Sequence, residues 1–250
     1  MAKTIGLAGA TALITGATSG IGKATAFALA QRGARILVCG RDVQRGEAVV
    51  SAIKENGGSA DFLAADLQDA GSARDLARRG LALNGRIDIL VNNAAIFPFG
   101  PTPGTSEDTF DKVYNVNVKV PFVLVGELAP KMAERGKGSI INLSSMVSEF
   151  GLAGMALYGS SKAAINLLTK AWAAEFGPKG VRVNAVSPGP TRTEGTAGMG
   201  DSLEKMAALA PAGRPASAEE IAAAIAFLAS DEASFVHGVV LAVDGGRTAA

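Results

Sequence analysis

Tyr158 and Lys162 stand four residues apart in the run Tyr158-Gly159-Ser160-Ser161-Lys162. On a helix that spacing puts both side chains on one face. A free phenol titrates near ~10 and exchanges protons poorly at neutral pH. An ammonium beside it stabilises the phenolate and lowers that value. The phenol can then give a proton to a carbonyl oxygen, or take one from an alcohol. The same pair also reads as an exposed tyrosine beside a solvated lysine, a pattern that recurs by chance. Ser144 and Ser145 lie a short loop upstream. A serine hydroxyl brought back to the phenol would donate to a developing alkoxide; paired serines after a strand also serve as helix or turn caps.

A second group of residues suits phosphate. In Thr15-Gly16-Ala17-Thr18-Ser19-Gly20-Ile21-Gly22 the glycines follow an apolar run and open a helical one. Glycine allows a tight turn and close approach of backbone to ligand. The helix start offers free N–H groups and partial positive charge to a pyrophosphate. Alone such a loop is equally an ordinary tight turn; at the end of the first strand of a βαβ unit it points to a nucleotide.

Those groups need a scaffold, and the hydrophobic pattern predicts one. Apolar runs at 11–15, 35–39, 60–64, 87–91, 139–143, 181–186 and 239–243 predict seven strands. Helical runs lie between them at 20–31, 43–55, 70–83, 106–115, 118–134, 155–176 and 218–229. Strands apolar throughout and alternating with helices predict an α/β fold, a doubly wound, mostly parallel sheet covered on both faces. No linker or repeat divides the chain, so residues 1–250 read as a single domain. Residues 188–215, rich in Gly, Thr and Pro, read as a long loop with one short helix at 202–209. The loop at about 190–215 would handle substrate, and 191–209 would close as a lid over the reaction.

Composition narrows the chemistry. The 250 residues carry 24 basic and 23 acidic side chains, a net charge of +1. That balance leaves no footprint for nucleic acid or an anionic membrane. Cys39 is the only cysteine and lies in the apolar run Ile36-Leu37-Val38-Cys39, so it reads as a buried structural thiol in a reducing, cytoplasmic setting. His237 is the only histidine, which leaves no His-based triad and no multi-histidine metal site; we expect no metal. The start, Met1-Ala2-Lys3-Thr4-Ile5-Gly6, lacks a signal-peptide hydrophobic region. No apolar run reaches the ~20 residues of a membrane span.

Taken together and in order, several pieces resemble the short-chain dehydrogenase/reductase family, over about residues 8–246. They are the glycine loop, Asp66-Leu67, Asn92-Asn93-Ala94, Asn117, Ser145, Tyr158 with Lys162, Asn184 with Ser187-Pro188-Gly189, and Val243-Asp244-Gly245-Gly246. The resemblance implies a Rossmann-type domain and hydride transfer between a nicotinamide cofactor and a small carbonyl or alcohol substrate. It implies that Tyr158 is the general acid or base and that Ser145 holds the substrate oxygen. Lys162 would bind the nicotinamide ribose and lower the Tyr158 pKa, and Asn117 would anchor a water in the proton path. It places Gly16, Thr18, Ser19, Gly20, Ile21, Gly22, Asp66, Leu67, Asn93, Ala94, Pro188, Gly189 and Thr191 against the cofactor, with Tyr158 and Lys162. For Asn117 and Asp66 a buried amide bonded to backbone and a helix cap remain open as alternatives. The resemblance also implies a homotetramer, with the apolar helix carrying Leu167, Leu168 and Trp172 at an interface or in the core.

Two departures bear on the cofactor. Ala95 replaces a usual glycine after Asn92-Asn93-Ala94, a change we expect to be tolerated. The acidic residue that often ends the second strand is absent; the chain reads Cys39-Gly40-Arg41-Asp42. Gly40 neither accepts from nor repels a ribose substituent, and Arg41 can pair with a 2′-phosphate. This predicts NADP over NAD, with NAD as the alternative if Asp42 turns inward. Residues 96–101, Ile-Phe-Pro-Phe-Gly-Pro, with Met146, Val147, Phe150 and Met155, would line an apolar substrate pocket or pack internally. The competing function is a non-catalytic nucleotide-sensing protein on the same fold; an epimerase or dehydratase would need a larger substrate domain.

Overall fold

Seven short runs of β-branched and aliphatic residues form one sheet in the computed structural model, which describes residues 6–250. The N-terminal reading of residues 1–5 lies outside the described residues. The strands are β1 (Thr11–Ile14), β2 (Arg35–Gly40), β3 (Ser59–Ala64), β4 (Ile89–Asn92), β5 (Gly138–Leu143), β6 (Val181–Pro188) and, last in the chain, β9 (Val240–Val243). Their spatial order is β3-β2-β1-β4-β5-β6-β9, and every neighbouring pair is parallel. The order reverses between β1 and β4, so the loops after them part and leave a crevice at the carboxyl edge of the sheet.

Burial on both faces explains why these strands read as continuous apolar runs. In β1, Ala12 and Ile14 point into one core and Leu13 into the other. The first core is closed by α1 (Gly20–Gln31), α2 (Val43–Glu55) and α8 (Ala218–Ala229), through Leu29, Ile53 and Ile225 among others. The second is closed by α3 (Ala70–Asn84), α5 (Val120–Glu134) and α6 (Ala156–Phe176), through Leu76, Leu124 and Trp172. Cys39 is fully buried in this second layer, and burial pushes its thiol up to about 12. His237 lies beside Gly177, at the amino edge of the sheet, away from the crevice.

Three local features differ from the pattern read in the sequence. The helices predicted at 106–115 and 118–134 are one continuous rod: α4 (Glu107–Tyr114) runs through a π-helical turn, Asn115–Lys119, into α5. Strand β6 continues two residues past 186, through Ser187 and Pro188. The stretch read as a long loop is clamped at its ends, because β7 (Thr191–Arg192) pairs with β8 (Ala216–Ser217). Inside the clamp lies α7 (Asp201–Ala207), close to the predicted 202–209 helix.

Among the described residues no helix is long and apolar enough to cross a membrane, and no group of three or more His, Cys, Asp or Glu side chains is placed to hold a metal ion.

Candidate active site

The crevice is built by tying the loop after β1 to the loop after β4. Asn93 donates through Nδ2 to the carbonyls of Thr15 (2.8 Å) and Gly16 (3.0 Å). The Thr15 hydroxyl accepts from the backbone N–H of Asn93 and of Ala94, each at 3.0 Å. Gly16 takes φ +63°, and a Cβ on Gly22 would stand 2.3 Å from the Gly16 carbonyl oxygen. Only glycine at both positions lets the chain turn this tightly into α1, whose N–H groups then face the crevice. The residues present therefore fit a dinucleotide: a bare backbone cup and a helix N-terminus for phosphate, at the switch point of a parallel sheet.

Beside that cup a groove is lined by Thr18, Ser19, Gly40, Arg41, Asp66, Leu67, Asn93 and Ala94. The structure thus brings together most of the residues that the sequence reading assigned to the cofactor. Gly20, Ile21 and Gly22 begin α1 behind the groove. Pro188 ends β6, and the Thr191 hydroxyl is spent on the Gly189 carbonyl at 2.9 Å. Asp66 is exposed on the groove wall, and the cap of α3 is Asp69 instead. Asp42 is turned to α2 and caps it: its carboxylate accepts from the Arg45 backbone N–H at 2.9 Å and from Arg45 Nε at 2.7 Å. Those bonds, the backbone one first, hold its carboxyl below the usual range. Arg41 is exposed on the groove rim, with no ion-pair partner among the described residues. Ala95 has an ordinary negative φ, like every described non-glycine residue.

Past the end of β5, the two serines separate. The Ser144 hydroxyl is buried and donates to Asn166 on α6 at 2.5 Å. Ser145 makes no side-chain cap bond to the turn that follows and stays beside the Tyr158 hydroxyl. Burial pushes the Tyr158 phenol up to about 12, and the bond to Ser145 pulls the other way. Lys162 is buried one turn on, its Nζ 5.8 Å from the centre of the tyrosine ring and donating to the Leu143 carbonyl at 2.7 Å. Burial lowers its ammonium to about 8. The phenol thus lies above its ordinary value, not below it as the helix spacing predicted, because desolvation outweighs the hydrogen bond from Ser145.

Asn117, 1% exposed, sits in the π-helical turn. Its amide accepts from the Ile96 N–H, donates to the Ile96 carbonyl, both at 2.9 Å, and donates to the Ser161 hydroxyl at 3.1 Å. It therefore pins the post-β4 loop to α6, the backbone-bonded arrangement left open above. Phe97, on that loop, meets the Tyr158 ring edge-on with centroids 6.2 Å apart.

Lys112, Val116 and Gln68 also line the groove, and Glu194 reaches its glycine loop, donor Gly20 N to Glu194 Oε2 at 2.8 Å. The sequence reading missed all four. Lys112 and Val116 look like the two faces of any amphipathic helix, and Glu194 meets Gly20 only through the fold.

A model of the enoyl-(acyl carrier protein) reductase family matches residues 16–248. An uncharacterized oxidoreductase of Thermotoga maritima is 41% identical over 248 residues, covering 96% of this chain and 98% of that one. A solved structure of a short chain dehydrogenase/reductase family protein is 46% identical and superposes with a TM-score of 0.89, covering 98% of this chain and 99% of its own. The gluconate 5-dehydrogenase of Burkholderia cenocepacia, solved with NADP and tartrate, is 34% identical with a TM-score of 0.93, covering 99% of this chain and 98% of its own. Similarity that runs from the glycine cup to the last turn leaves one assignment: this chain belongs to the short-chain dehydrogenase/reductase family of NAD(P)-dependent oxidoreductases.

Proposed function

We propose that the protein interconverts a ketone or aldehyde and the corresponding alcohol, with NADP(H) preferred and Tyr158 as general acid and base. The observation that carries this reading is the convergence of the Ser145 hydroxyl, the Tyr158 phenol and the buried Lys162 ammonium beside a groove shaped for a dinucleotide. The bound cofactor supplies or accepts the hydride. Ser145 holds the substrate oxygen, and Tyr158 hands that oxygen its proton as it gains charge. A phenol near 12 stays protonated at neutral pH, the form that carbonyl reduction consumes. Lys162 places positive charge behind the pair and, in this reading, holds the nicotinamide ribose.

Arg41 supports the NADP preference: it has no ion-pair partner among the described residues, and the acid next to it in the chain, Asp42, is committed to a helix cap. The single domain spans the chain, and its 190–215 excursion acts as the substrate loop and lid. We also propose a cytoplasmic homotetramer. Leu167, 70% exposed on α6, and Phe122, 54% exposed on α5, suit a subunit contact. Tyr158→Phe keeps the ring and removes the transferable proton. Turnover should fall at least ~100-fold, with cofactor affinity nearly intact. Activity within a few-fold of the parent would remove Tyr158 as the acid.

A further inference from the structure

At the start of α1 a carboxylate already occupies the place where an anion belongs. Glu194 Oε2 accepts the Gly20 N–H at 2.8 Å across 174 residues of sequence. Ser19, the N-cap, makes no side-chain cap bond, so that donor has no local partner to return to. The approach is held in place from the loop side. Thr193 lies against Gly20, where an added Cβ would stand 3.2 Å from the Thr193 Cβ and Cγ2. The Thr193 N–H donates to the Thr196 hydroxyl at 3.0 Å, and that hydroxyl donates to the Thr191 carbonyl at 2.8 Å. A helix N-terminus attracts one negative group favourably, and a second anion beside the first meets its repulsion.

We propose that Glu194 is a resident anion of the pyrophosphate seat, a residue of the substrate loop that sets cofactor affinity by opposing the cofactor's own phosphates. The inference rests on the cofactor reading given above. The carboxylate latches the loop to the glycine cup, and a dinucleotide must displace it or bind against its charge. Lys23, on α1, and Arg45, on α2, are the cations whose charge bears on the carboxylate, and they give it a place to move when displaced. Loop position and cofactor occupancy are thereby coupled through a side chain that touches no substrate.

The test is equilibrium binding of NADPH, followed by nicotinamide fluorescence, and of adenosine 2′-monophosphate, which lacks the pyrophosphate, by calorimetry. Glu194→Gln keeps an acceptor for Gly20 and removes the charge. NADPH should bind about two- to fivefold more tightly, the range expected for an exposed charge at a helix end, while adenosine 2′-monophosphate binds as to the parent. Glu194→Ala should tighten NADPH in the same direction and also speed amide exchange at 191–196, where the latch is lost. Unchanged or weaker NADPH binding in Glu194→Gln overturns the proposal, and equal tightening of both ligands does so too, because it marks a long-range field instead of a local seat. A parent protein that binds neither NADPH nor NADH removes the cofactor reading itself, and this inference with it.

Discussion

An added methyl group at Gly40 should cost the protein its cofactor, not its choice of cofactor. Gly40 closes β2 at the groove, and a Cβ built there would stand 2.5 Å from Thr18 Cγ2 and 3.2 Å from Thr18 Oγ1. Carbon atoms pack at about 3.5–4.0 Å. Rotating Thr18 keeps a heavy atom against the added carbon either way: Oγ1 moves to the place of Cγ2, or Cγ2 moves to the place of Oγ1, 3.2 Å from the added carbon and still inside carbon–carbon contact. The strain must go into the Thr18 loop, which forms the wall of the groove. Overpacking of this kind costs about 1–3 kcal/mol, or roughly five- to a hundredfold in affinity. Gly40→Ala should therefore weaken NADPH and NADH by the same factor in fluorescence titrations. Adding Thr18→Ser, which deletes Cγ2 and keeps the hydroxyl, should restore both to within about threefold of the parent, since only the contact at 2.5 Å is then removed. The same geometry bears on Gly40→Asp, whose carboxylate would accept from the ribose hydroxyls and repel a 2′-phosphate. It should lose NADPH without gaining NADH unless Thr18→Ser accompanies it. Parent-like binding of both cofactors by Gly40→Ala would refute the steric argument.

Arg41→Ala should lower the kcat/KM ratio of NADPH to NADH about tenfold at low salt, the worth of one exposed charge-assisted bond; equal use of the two cofactors by the parent would refute the preference. Lys162 has its ammonium lowered to about 8 by burial, so carbonyl reduction should fall as pH rises through that value, and Lys162→Met should lose this step while binding cofactor more weakly. The sign for stability is the reverse: the unfolded chain keeps the lysine proton above pH 8 when the folded chain has released it, so this group's contribution to stability rises from about pH 8 to the ordinary lysine value. Cys39, buried with its thiol pushed up to about 12, should react with thiol reagents only at the rate of unfolding; rapid native alkylation would show an open strand edge.

The scaffold was legible because its strands are buried on both faces. Such burial writes unbroken apolar runs into β1, β2, β5 and β6, and the cup after β1 needs glycines that no other residue can replace. What the chain does not display is how a polar side chain divides its bonds. Ser144 and Ser145 are the same residue type in adjacent positions, yet one is spent on Asn166 and the other is left for the phenol. The difference lies in α6, which supplies Asn166 to only one side of the strand end. Asp42 shows the same limit: whether the acid next to Arg41 turns to the groove or caps a helix is decided by Arg45 of α2, while Asp66 lies on the groove where the resemblance placed it. The phenol shows it most sharply. Helix spacing correctly places Lys162 beside Tyr158, but spacing carries no information on desolvation, and the walls that bury the hydroxyl come from the β4 and β5 loops. Here desolvation is the largest effect on both groups, raising the phenol and lowering the ammonium, so the balance of the pair is set by burial that the helix spacing does not record.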